Sequence, residues 1–466
     1  MTANPMKEMQ FVGFAGHRAV PDKAAAKRAI LRELELILSR MPGEFVGIAS
    51  AAAGADLLFL DACRELGLKT VILLPFAKEQ FIADFEDPEE WNHACECMDA
   101  AWWTEVCPGG EAAPEAYHVV AREVLDTAVR MVFLWDGRPA RGLGGTAESI
   151  AEARKMDIPS RIIDAATLDA CWESESQQVV ASDPTFDDLP HATDIRDLFE
   201  LLDQRASGSA PKSRGFAAAS MSLNHLAGLM QAVMVVFAAV AAEAGAMIKL
   251  VLVTLASWLP RLGKTLRWQE RWVQDRVRAE LLRSLLATHE PGSPLHPPAI
   301  ELFEKEKVFL QTAALRLVPS RRGWQAARDS YLDERVDGQI RYLQAKGDLA
   351  GRRMRIFGKL FSIASLSAVI FGAIVVVMPF MGEKAWSSFT VVSDILPGVC
   401  AWLLAMISVF EFKRRANLYH QLVRELKRLR PIVASAQCAS EVARGMRQVE
   451  RLLLNELWEW RGTHEK

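Results

Sequence analysis

The sequence has few of the features that mark secreted or disulfide-rich proteins. Its 466 residues include only seven cysteines, an odd number, and no Cys-x-x-Cys motif occurs among them. A disulfide framework is therefore not expected, and a reducing compartment fits the composition better. The first ten residues lack a basic segment followed by an apolar one. We therefore expect no cleaved signal peptide and a cytoplasmic N-terminal region.

The net charge of −3 is divided unevenly along the chain. Residues 1–200 contain 18 Lys and Arg against 35 Asp and Glu, whereas residues 201–466 contain 37 against 23. An acidic first part joined to a basic second part predicts at least two distinct structural regions. The acidic part also argues against a nucleic-acid partner, because binding a phosphate backbone needs clustered cations.

The second part of the sequence contains long apolar runs. Residues 215–242 and residues 360–382 carry no Asp, Glu, Lys or Arg, and each run is followed by a short turn-like stretch and a second apolar run. About 20 apolar residues are enough to cross a bilayer. Buried helices of a soluble protein are the alternative, but these are usually amphipathic, whereas the runs here are apolar on all sides. The predicted transmembrane helices are about 220–241, 246–260, 360–380 and 390–411.

These four helices form two predicted hairpins, and basic residues define their orientation. Lys and Arg cluster at the outer ends of both hairpins, while the hairpin tips carry little positive charge. The positive-inside rule then places both termini and residues 261–359 in the cytoplasm. The expected location is the inner membrane, crossed several times.

Residues 10–165 alternate between apolar strands and helices. Continuous apolar strands separated by helices predict a parallel sheet covered on both faces, an α/β fold of the Rossmann-like kind. A polar, acidic extension follows, in which the Ser, Gly and Pro residues of 206–215 predict a flexible linker. The Pro-rich stretch 288–298 predicts a second break. The expected divisions are 1–165, 166–214, 215–287, 288–330 and 331–466.

Three loops rich in small residues follow predicted strands, at residues 13–18, 50–56 and 142–148. Each opens into a helix, so its backbone N–H groups and the helix N-terminus can approach an anion closely. Ligands of parallel sheets bind beyond the carboxyl ends of the strands. The three loops together predict a phosphate-bearing ligand. None of them contains Gly-Lys-Ser/Thr or Gly-x-Gly-x-x-Gly, so neither a P-loop nor a hydride-transferring dinucleotide fold is favoured.

The loops and one strand end supply the candidate ligand-binding residues. Arg18 contacts a ligand phosphate or forms a surface ion pair, and His17 is an anion contact or a structural residue. Asp56 bonds a ribose hydroxyl or caps the following helix. Asp136 contacts a base or ribose or belongs to an Asp-Gly turn. The other candidates are Gly13, Gly16, Ser50, Gly54, Gly142, Gly144, Gly145 and Thr146.

A short segment, His93-Ala-Cys95-Glu-Cys97, raises the question of a metal ion. Its ligand spacing of two and four residues does not place all three side chains on one face of a helix, and no second cluster completes four ligands. We therefore expect no metal site and no bound cofactor.

Several segments of the first part resemble the SLOG superfamily, namely GFAGHR, GADLLFLDAC and AREVLDTAVRMVFLWDGRPARGLGGTAESIAEAR. This nucleotide-binding, Rossmann-like group includes the Lonely-guy (LOG) phosphoribohydrolases and sensor domains of bacterial conflict systems. The resemblance covers residues 8–165. It implies that Arg122 and Glu148 match an Arg and a Glu of the enzymes, which adds both to the candidate ligand-binding residues and makes fourteen in all. Glu148 contacts a ribose or, alternatively, interacts with the helix dipole.

Two departures from the LOG pattern bear on activity. Glu123 stands where the enzymes have Lys, and the stretch WDGRPARGLGG replaces a shorter Pro-Gly-Gly loop. The resemblance therefore supports ligand binding better than hydrolysis.

The second part resembles the SLATT type of effector, a two-span domain that occurs beside nucleotide-sensing domains and is proposed to form pores. Four spans are a departure, but RWVQDRVRAELLRSLL after the first hairpin is similar to RANLYHQLVRELKRLR after the second, which indicates a duplicated unit. The resemblances imply a homo-oligomeric membrane effector of antiphage defence, gated by a nucleotide or NAD-derived second messenger. The alternative is a membrane-anchored LOG-like N-glycosidase with Arg122 and Glu148 as catalytic residues.

Overall fold

A computed structural model describes residues 7–40, 43–107, 113–139, 143–174, 194–209, 212–237, 242–265, 268–320, 323–381 and 387–464. The chain forms two compact units. The α/β unit comprises residues 1–198 and 292–321, and the helical unit comprises residues 199–291 and 322–466. The chain therefore passes from one unit to the other three times. The α/β unit carries 22 Lys and Arg against 37 Asp and Glu, and the helical unit 33 against 21.

The α/β unit is built on a seven-stranded sheet with the order β4-β3-β2-β1-β5-β6-β7. Neighbouring strands from β4 to β6 are parallel, and only β7 pairs antiparallel, with β6. The predicted parallel α/β fold is confirmed, whereas β4 and β7 are additions at the two edges. The strands are β1 (Met9–Gly16), β2 (Glu44–Ala49), β3 (Lys69–Leu74), β4 (Trp103–Val106), β5 (Arg130–Trp135), β6 (Ser160–Asp164) and β7 (Ala170–Ser174).

Helices cover both faces of this sheet. Val12 and Phe14 of β1 are buried in one apolar cluster, while Met9 and Phe11 are buried in a second. Because alternate strand residues point to opposite faces, burial of both sets explains the continuous apolar strands in the sequence. The helices described in residues 1–165 are α1 (Lys23–Arg40), α2 (Ala55–Glu65), α3 (Lys78–Phe81), α4 (Pro88–Ala100), α5 (Ala113–Thr127) and α6 (Thr146–Lys155).

Residues 292–321, which lie within the expected division 288–330, belong to the α/β unit. Helix α11 (Lys307–Leu317) packs on the sheet with Leu315 fully buried in the second cluster. The backbone N–H of Met9 donates to Thr312 Oγ1 at 3.0 Å, and Arg316 donates to the carbonyl of Lys7 at 2.8 Å. The Pro-rich break does separate two helices, but the apolar side of the following helix is covered by the sheet.

The helical unit consists of long helices. Of residues 206–215, which the sequence predicts as a flexible linker, 206–209 and 212–215 are helical, and residues 210 and 211 lie outside the described part. The helices are α7 (Ile195–Ser209, which begins at the boundary), α8 (Lys212–Phe237), α9 (Ala242–Thr265), α10 (Trp268–Thr288), α12 (Trp324–Ser330), α13 (Gly338–Val377), α14 (Ser387–Phe410), α15 (Phe412–Ala434) and α16 (Ala439–His464). A π-helical segment, Tyr331–Asp337, joins α12 to α13.

Two stretches of helix, Trp324–Val377 and Val392–Ala434, are long and apolar enough to cross a membrane. In the most apolar 18 residues of each stretch, only 6% and 17% of the residues are buried. Ile363, Leu366 and Val369 are each more than 60% exposed. Core helices of soluble proteins bury such side chains, so these surfaces fit a lipid environment. They correspond to the third and fourth predicted spans.

The first predicted hairpin corresponds to α8 and α9. Within α9, Met247–Trp258 is apolar but shorter than the two membrane-spanning stretches. Ser220 Oγ donates to the carbonyl of Ala256 at 2.6 Å, and Trp402 Nε1 of α14 donates to Ser222 Oγ at 3.1 Å. The first hairpin thus packs against the second. Residues 238–241 of the first predicted span and residues 382–386 between α13 and α14 lie outside the described residues.

A buried ion pair joins α16 to the π-helical segment. Arg335 donates to both carboxylate oxygens of Glu450 at 2.9 and 2.6 Å, and Tyr331 Oη donates to the same carboxylate at 2.9 Å. The side chains of Arg335 and Glu450 are 7% and 0% exposed. A buried pair with every charge partnered is tolerated, but removing one partner leaves an uncompensated charge.

Replacing Glu450 with Ala is therefore expected to lower the free energy of unfolding of the helical unit by about 3–5 kcal/mol. The matched control is Glu425→Ala, which breaks an exposed pair with Arg428 at 2.9 Å and should cost less than about 1 kcal/mol. Denaturant unfolding of the full chain in detergent, followed by helical circular dichroism, measures both. Equal effects of the two variants would contradict the structural role assigned to Glu450.

Candidate functional site

A cavity of about 730 Å³ opens at the carboxyl ends of β1 and β5. The chain runs from β1 outward through β2, β3 and β4, then returns to β5 on the other side of β1. Such a reversal leaves a crevice between the loops that leave the two central strands in opposite directions. The cavity size lies within the range of small-molecule sites, roughly 300–1,000 Å³.

The first loop reaches the cavity with His17 and Arg18. The backbone N–H of Asp136 donates to His17 Nε2 at 2.9 Å, which ties the loop after β1 to the loop after β5. Asp136 Oδ1 also accepts from the backbone N–H of Arg138 at 3.0 Å. His17 and Asp136 therefore stabilise the walls of the cavity while exposing part of their side chains to it.

Arg18 lies over the ring of Tyr117, with 5.4 Å between the guanidinium carbon and the ring centre. It also donates to Asp84 at 3.2 Å, and its side chain is 52% exposed. Tyr117, from α5, lines the cavity as well, and its buried hydroxyl has no hydrogen-bond partner among the described residues. The cavity therefore offers a half-exposed cation beside an aromatic ring.

The second loop brings the N-terminus of α2 to the cavity. Gly54 has a φ of +89°, and a Cβ atom there would lie 2.0 Å from the carbonyl oxygen of Arg18. Only glycine fits, and the closeness allows the backbone N–H of Ala55 to donate to the carbonyl of His17 at 3.0 Å. The first two loops are thus held together by their backbones.

Asp56 is a buried carboxyl group that lines the cavity at the start of α2. Burial raises its pKa to about 7, although backbone hydrogen bonds with Ala52 and Gly16 and the charge of Arg18 act in the opposite direction. A substantial fraction of Asp56 is therefore protonated near neutral pH, which makes it both a donor and an acceptor.

The third loop begins helix α6. Gly144 has a φ of +78°, and a Cβ there would come within 2.7 Å of the backbone of Tyr117 and His118, so the loop can lie close to α5 only with glycine. Gly144, Gly145 and Thr146 line the cavity. Glu148 accepts a hydrogen bond from the backbone N–H of Gly144, and His118 Nδ1 lies 3.4 Å from its carboxylate. Glu148 thus interacts with its own loop and is not among the residues that line the cavity.

Arg122 and Glu123 also lie away from the cavity lining. Arg122 is half-exposed and forms ion pairs with Asp126 at 3.4 Å and Glu152 at 3.3 Å. Glu123 departs from the LOG pattern, and its Oε1 lies 3.2 Å from Nε2 of His296 in the segment 292–321. Both side chains therefore interact with other residues of the α/β unit and not with the cavity.

Nine of the fourteen predicted ligand-binding residues line the one cavity. Gly13 instead allows close packing, because a Cβ there would lie 2.3 Å from the sulfur of Met131. Gly142 lies outside the described residues. Tyr117 and Arg138 also line the cavity but were not predicted, because their positions depend on where α5 and the loop after β5 meet. The nine are Gly16, His17, Arg18, Ser50, Asp56, Asp136, Gly144, Gly145 and Thr146.

These groups determine which ligands the cavity can bind. The N-termini of α2 and α6, each longer than two turns, meet at one cavity beside Arg18. Helix N-termini and arginine together bind anions, above all phosphate. Tyr117 and Phe14 add aromatic surface, and Asp56 and Asp136 add acceptors for hydroxyl or amino groups.

Comparison with known proteins assigns no family, since no protein-family model and no curated protein matches the chain. The SLOG resemblance therefore rests on its motif residues. Most motif residues of the first and third loops line the cavity, whereas Arg122 pairs with Glu152 and Glu148 accepts from Gly144 of its own loop.

The raised pKa of Asp56 predicts a pH-dependent stability. Between its ordinary pKa of 3.8 and about 7, the folded protein retains a proton that the unfolded chain has lost, so the folded state becomes less stable as pH rises through this window. Asp56→Asn cannot titrate. Its stability relative to the parent should therefore increase from pH 4 to pH 7, by up to about 4 kcal/mol, and then level off.

Thermal unfolding of both proteins across this pH range measures the difference. Asp99→Asn, at a carboxylate whose side chain is 76% exposed, controls for the change in net charge. A difference between Asp56→Asn and the parent that does not vary with pH would show that Asp56 titrates normally.

Proposed function

We propose that this protein is a nucleotide-gated membrane effector. The α/β unit would bind a nucleotide or NAD-derived second messenger, and the helical unit would then permeabilise the membrane as a homo-oligomer. The observation that carries the proposal is the cavity at the β1–β5 crevice, where two helix N-termini and Arg18 converge, in a chain that also contains two helices of membrane-spanning length. A role in antiphage defence rests on the SLOG and SLATT resemblances.

The groups around the cavity support a nucleotide more than a simple anion. A phosphate would bind at the N-termini of α2 and α6 with Arg18. A base would pack against the ring of Tyr117, which lines the cavity beside Arg18. The pKa of about 7 for Asp56 limits repulsion of the phosphate, because the neutral acid is abundant at the pH of the cytoplasm.

The proposed membrane region has four spans, α8, α9, α13 and α14. The last two are long and exposed enough by themselves, and hydrogen bonds from Ser220 and Trp402 pack α8 against both α9 and α14. The excess of Lys and Arg in the helical unit agrees with cytoplasmic segments at the outer ends of both hairpins. Both termini would then be cytoplasmic.

Coupling between the units would use the chain itself. A ligand shifts a closed–open equilibrium only through its different affinities for the two states. The segment 292–321, which is part of the α/β unit, is joined at one end to the chain that follows α10 and at the other to the chain that leads into α12. A rearrangement of the α/β unit on binding would therefore be transmitted covalently to two helices of the helical unit.

The alternative of an anchored N-glycosidase has less support. It requires Arg122 and Glu148 to act on the bound ribose and leaving base. Arg122 is instead paired with Asp126 and Glu152, and Glu148 accepts from Gly144.

Variants of two arginines distinguish the sensor from the N-glycosidase. Arg18→Ala should weaken binding of a phosphate-bearing probe about 10- to 100-fold, because a hydrogen bond to a charged group is worth about 1.5–3 kcal/mol. Arg122→Ala, a matched control on the same unit, should leave the affinity unchanged. Calorimetry on the full chain in detergent, with AMP, ADP-ribose and cyclic di-AMP as probes, measures both.

Absence of binding by all three probes, or loss of binding in Arg122→Ala but not in Arg18→Ala, would contradict the proposed sensor site. Release of free base from AMP during the same incubation would favour the glycosidase.

The four-span topology is tested with reporters. A reporter fused after Lys466 and one inserted within residues 284–298 should both report the cytoplasm, whereas one inserted within residues 383–388 should report the opposite side. A reporter that places Lys466 or residues 284–298 outside would refute the four-span arrangement.

A further inference from the structure

A second group of polar side chains lies away from the cavity, between α2 and α4. Asp61 projects from α2, and His93 and Cys97 project from α4. The potential ligand atoms of the three all lie within 4.8 Å of one another, and His93 Nε2 is 3.0 Å from Asp61 Oδ1. Cys97 is buried, and the other two are partly exposed, so the group opens to solvent on one side.

The spacing of the group is that of a helical ligand pair with a third ligand from a neighbouring helix. His93 and Cys97 are four residues apart, so they share one face of α4. Cys95 lies off that face and packs against the apolar cluster that contains Val12 and Phe14. Asp61 therefore takes the place in the group that the sequence assigned to Cys95, and its approach depends on the packing of α2 against α4.

We propose that Asp61, His93 and Cys97 form a zinc site. Imidazole nitrogen, thiolate sulfur and carboxylate oxygen are the three donor types that Zn²⁺ takes in proteins, and three protein ligands with a water as the fourth is a common arrangement. Bonds of about 2.0–2.3 Å in a tetrahedron put the ligand atoms roughly 3.3–3.8 Å apart. In the metal-free group, His93 Nε2 and Asp61 Oδ1 are 3.0 Å apart and no two ligand atoms are more than 4.8 Å apart, so binding requires rotation of these side chains.

Arg64 of α2 already contacts two of the three side chains. Its guanidinium donates to Asp61 Oδ1 and lies 3.9 Å from Cys97 Sγ, so a positive charge already stands beside two of the three ligands. Its side chain is 51% exposed, and a pair at a spacing of three residues on a helix surface contributes little stability. The guanidinium therefore balances the carboxylate in the metal-free protein, and zinc displaces it into solvent.

A metal at this position would cross-link α2 to α4. Helix α2 also carries Asp56 at the cavity, about one and a half turns before Asp61. Zinc would therefore stiffen the helix whose N-terminus lines the ligand site. The proposal stands whether or not the cavity binds a nucleotide.

Cobalt provides the test, because Co²⁺ replaces Zn²⁺ in such sites and is coloured. The metal-stripped full chain in detergent is titrated with Co²⁺, and then Zn²⁺ is added in competition. We expect one Co²⁺ per chain, with a thiolate-to-cobalt charge-transfer band and the visible absorption of a tetrahedral ion, both removed by Zn²⁺.

Four variants complete the test. Cys97→Ser should lose the charge-transfer band, and Cys95→Ser, the matched control on the same helix, should keep it. His93→Gln, at a partly exposed position, should weaken zinc binding more than about tenfold even if the buried Cys97 variant folds poorly. Arg64→Gln should tighten zinc binding, because it removes the competing cation.

Absence of the band in the parent, or its persistence in folded Cys97→Ser, would overturn the proposal. Unchanged zinc affinity in His93→Gln would do the same. Weaker zinc binding in Arg64→Gln would also overturn it, since it would identify Arg64 as a partner of the three side chains in a purely structural network.

Discussion

Reversal of the strand order beside β1 is the constraint on which the candidate site depends. The chain builds β2, β3 and β4 on one side of β1 and then β5 and β6 on the other. The loops that follow β1 and β5 must therefore diverge, and the space between them cannot be filled by a connecting helix. Gly54 and Gly144, both with positive φ, let the second and third loops close around this space without filling it. Two helix N-termini and Arg18 then face one cavity.

The helical unit is subject to a different constraint, because its described residues leave a large apolar surface unburied. Few residues in the most apolar parts of α13 and α14 are buried within the protein, whereas the charged residues of α13 all precede residue 360. Lipid is the environment that makes such a surface stable. Outside the apolar stretches, the buried ion pair of Arg335 and Glu450 joins the π-helical segment to α16. A polar contact therefore holds these helices together.

The sequence was sufficient for the elements whose pattern is local. Continuous apolar strands predicted the parallel sheet, and the small-residue loops together with the strand end at Asp136 predicted nine of the residues that line the cavity. It was not sufficient where the outcome depends on distant packing. The segment 292–321 lies far along the chain, and nothing in its Pro-rich sequence shows that Leu315 fills the core beside the sheet. Tyr117 was missed for the same reason. Arg122 matched a motif, but the direction of its side chain depends on Asp126 and Glu152.

The central claim is that a ligand bound in the β1–β5 crevice controls the permeability of a membrane. The most direct measurement is dye release from vesicles that contain the full chain, with and without a nucleotide probe that calorimetry has shown to bind. The effector proposal predicts that this probe releases the dye from vesicles with the parent protein and not from vesicles with Arg18→Ala. Saturation of the cavity without any dye release, or equal release with and without the probe, would contradict it.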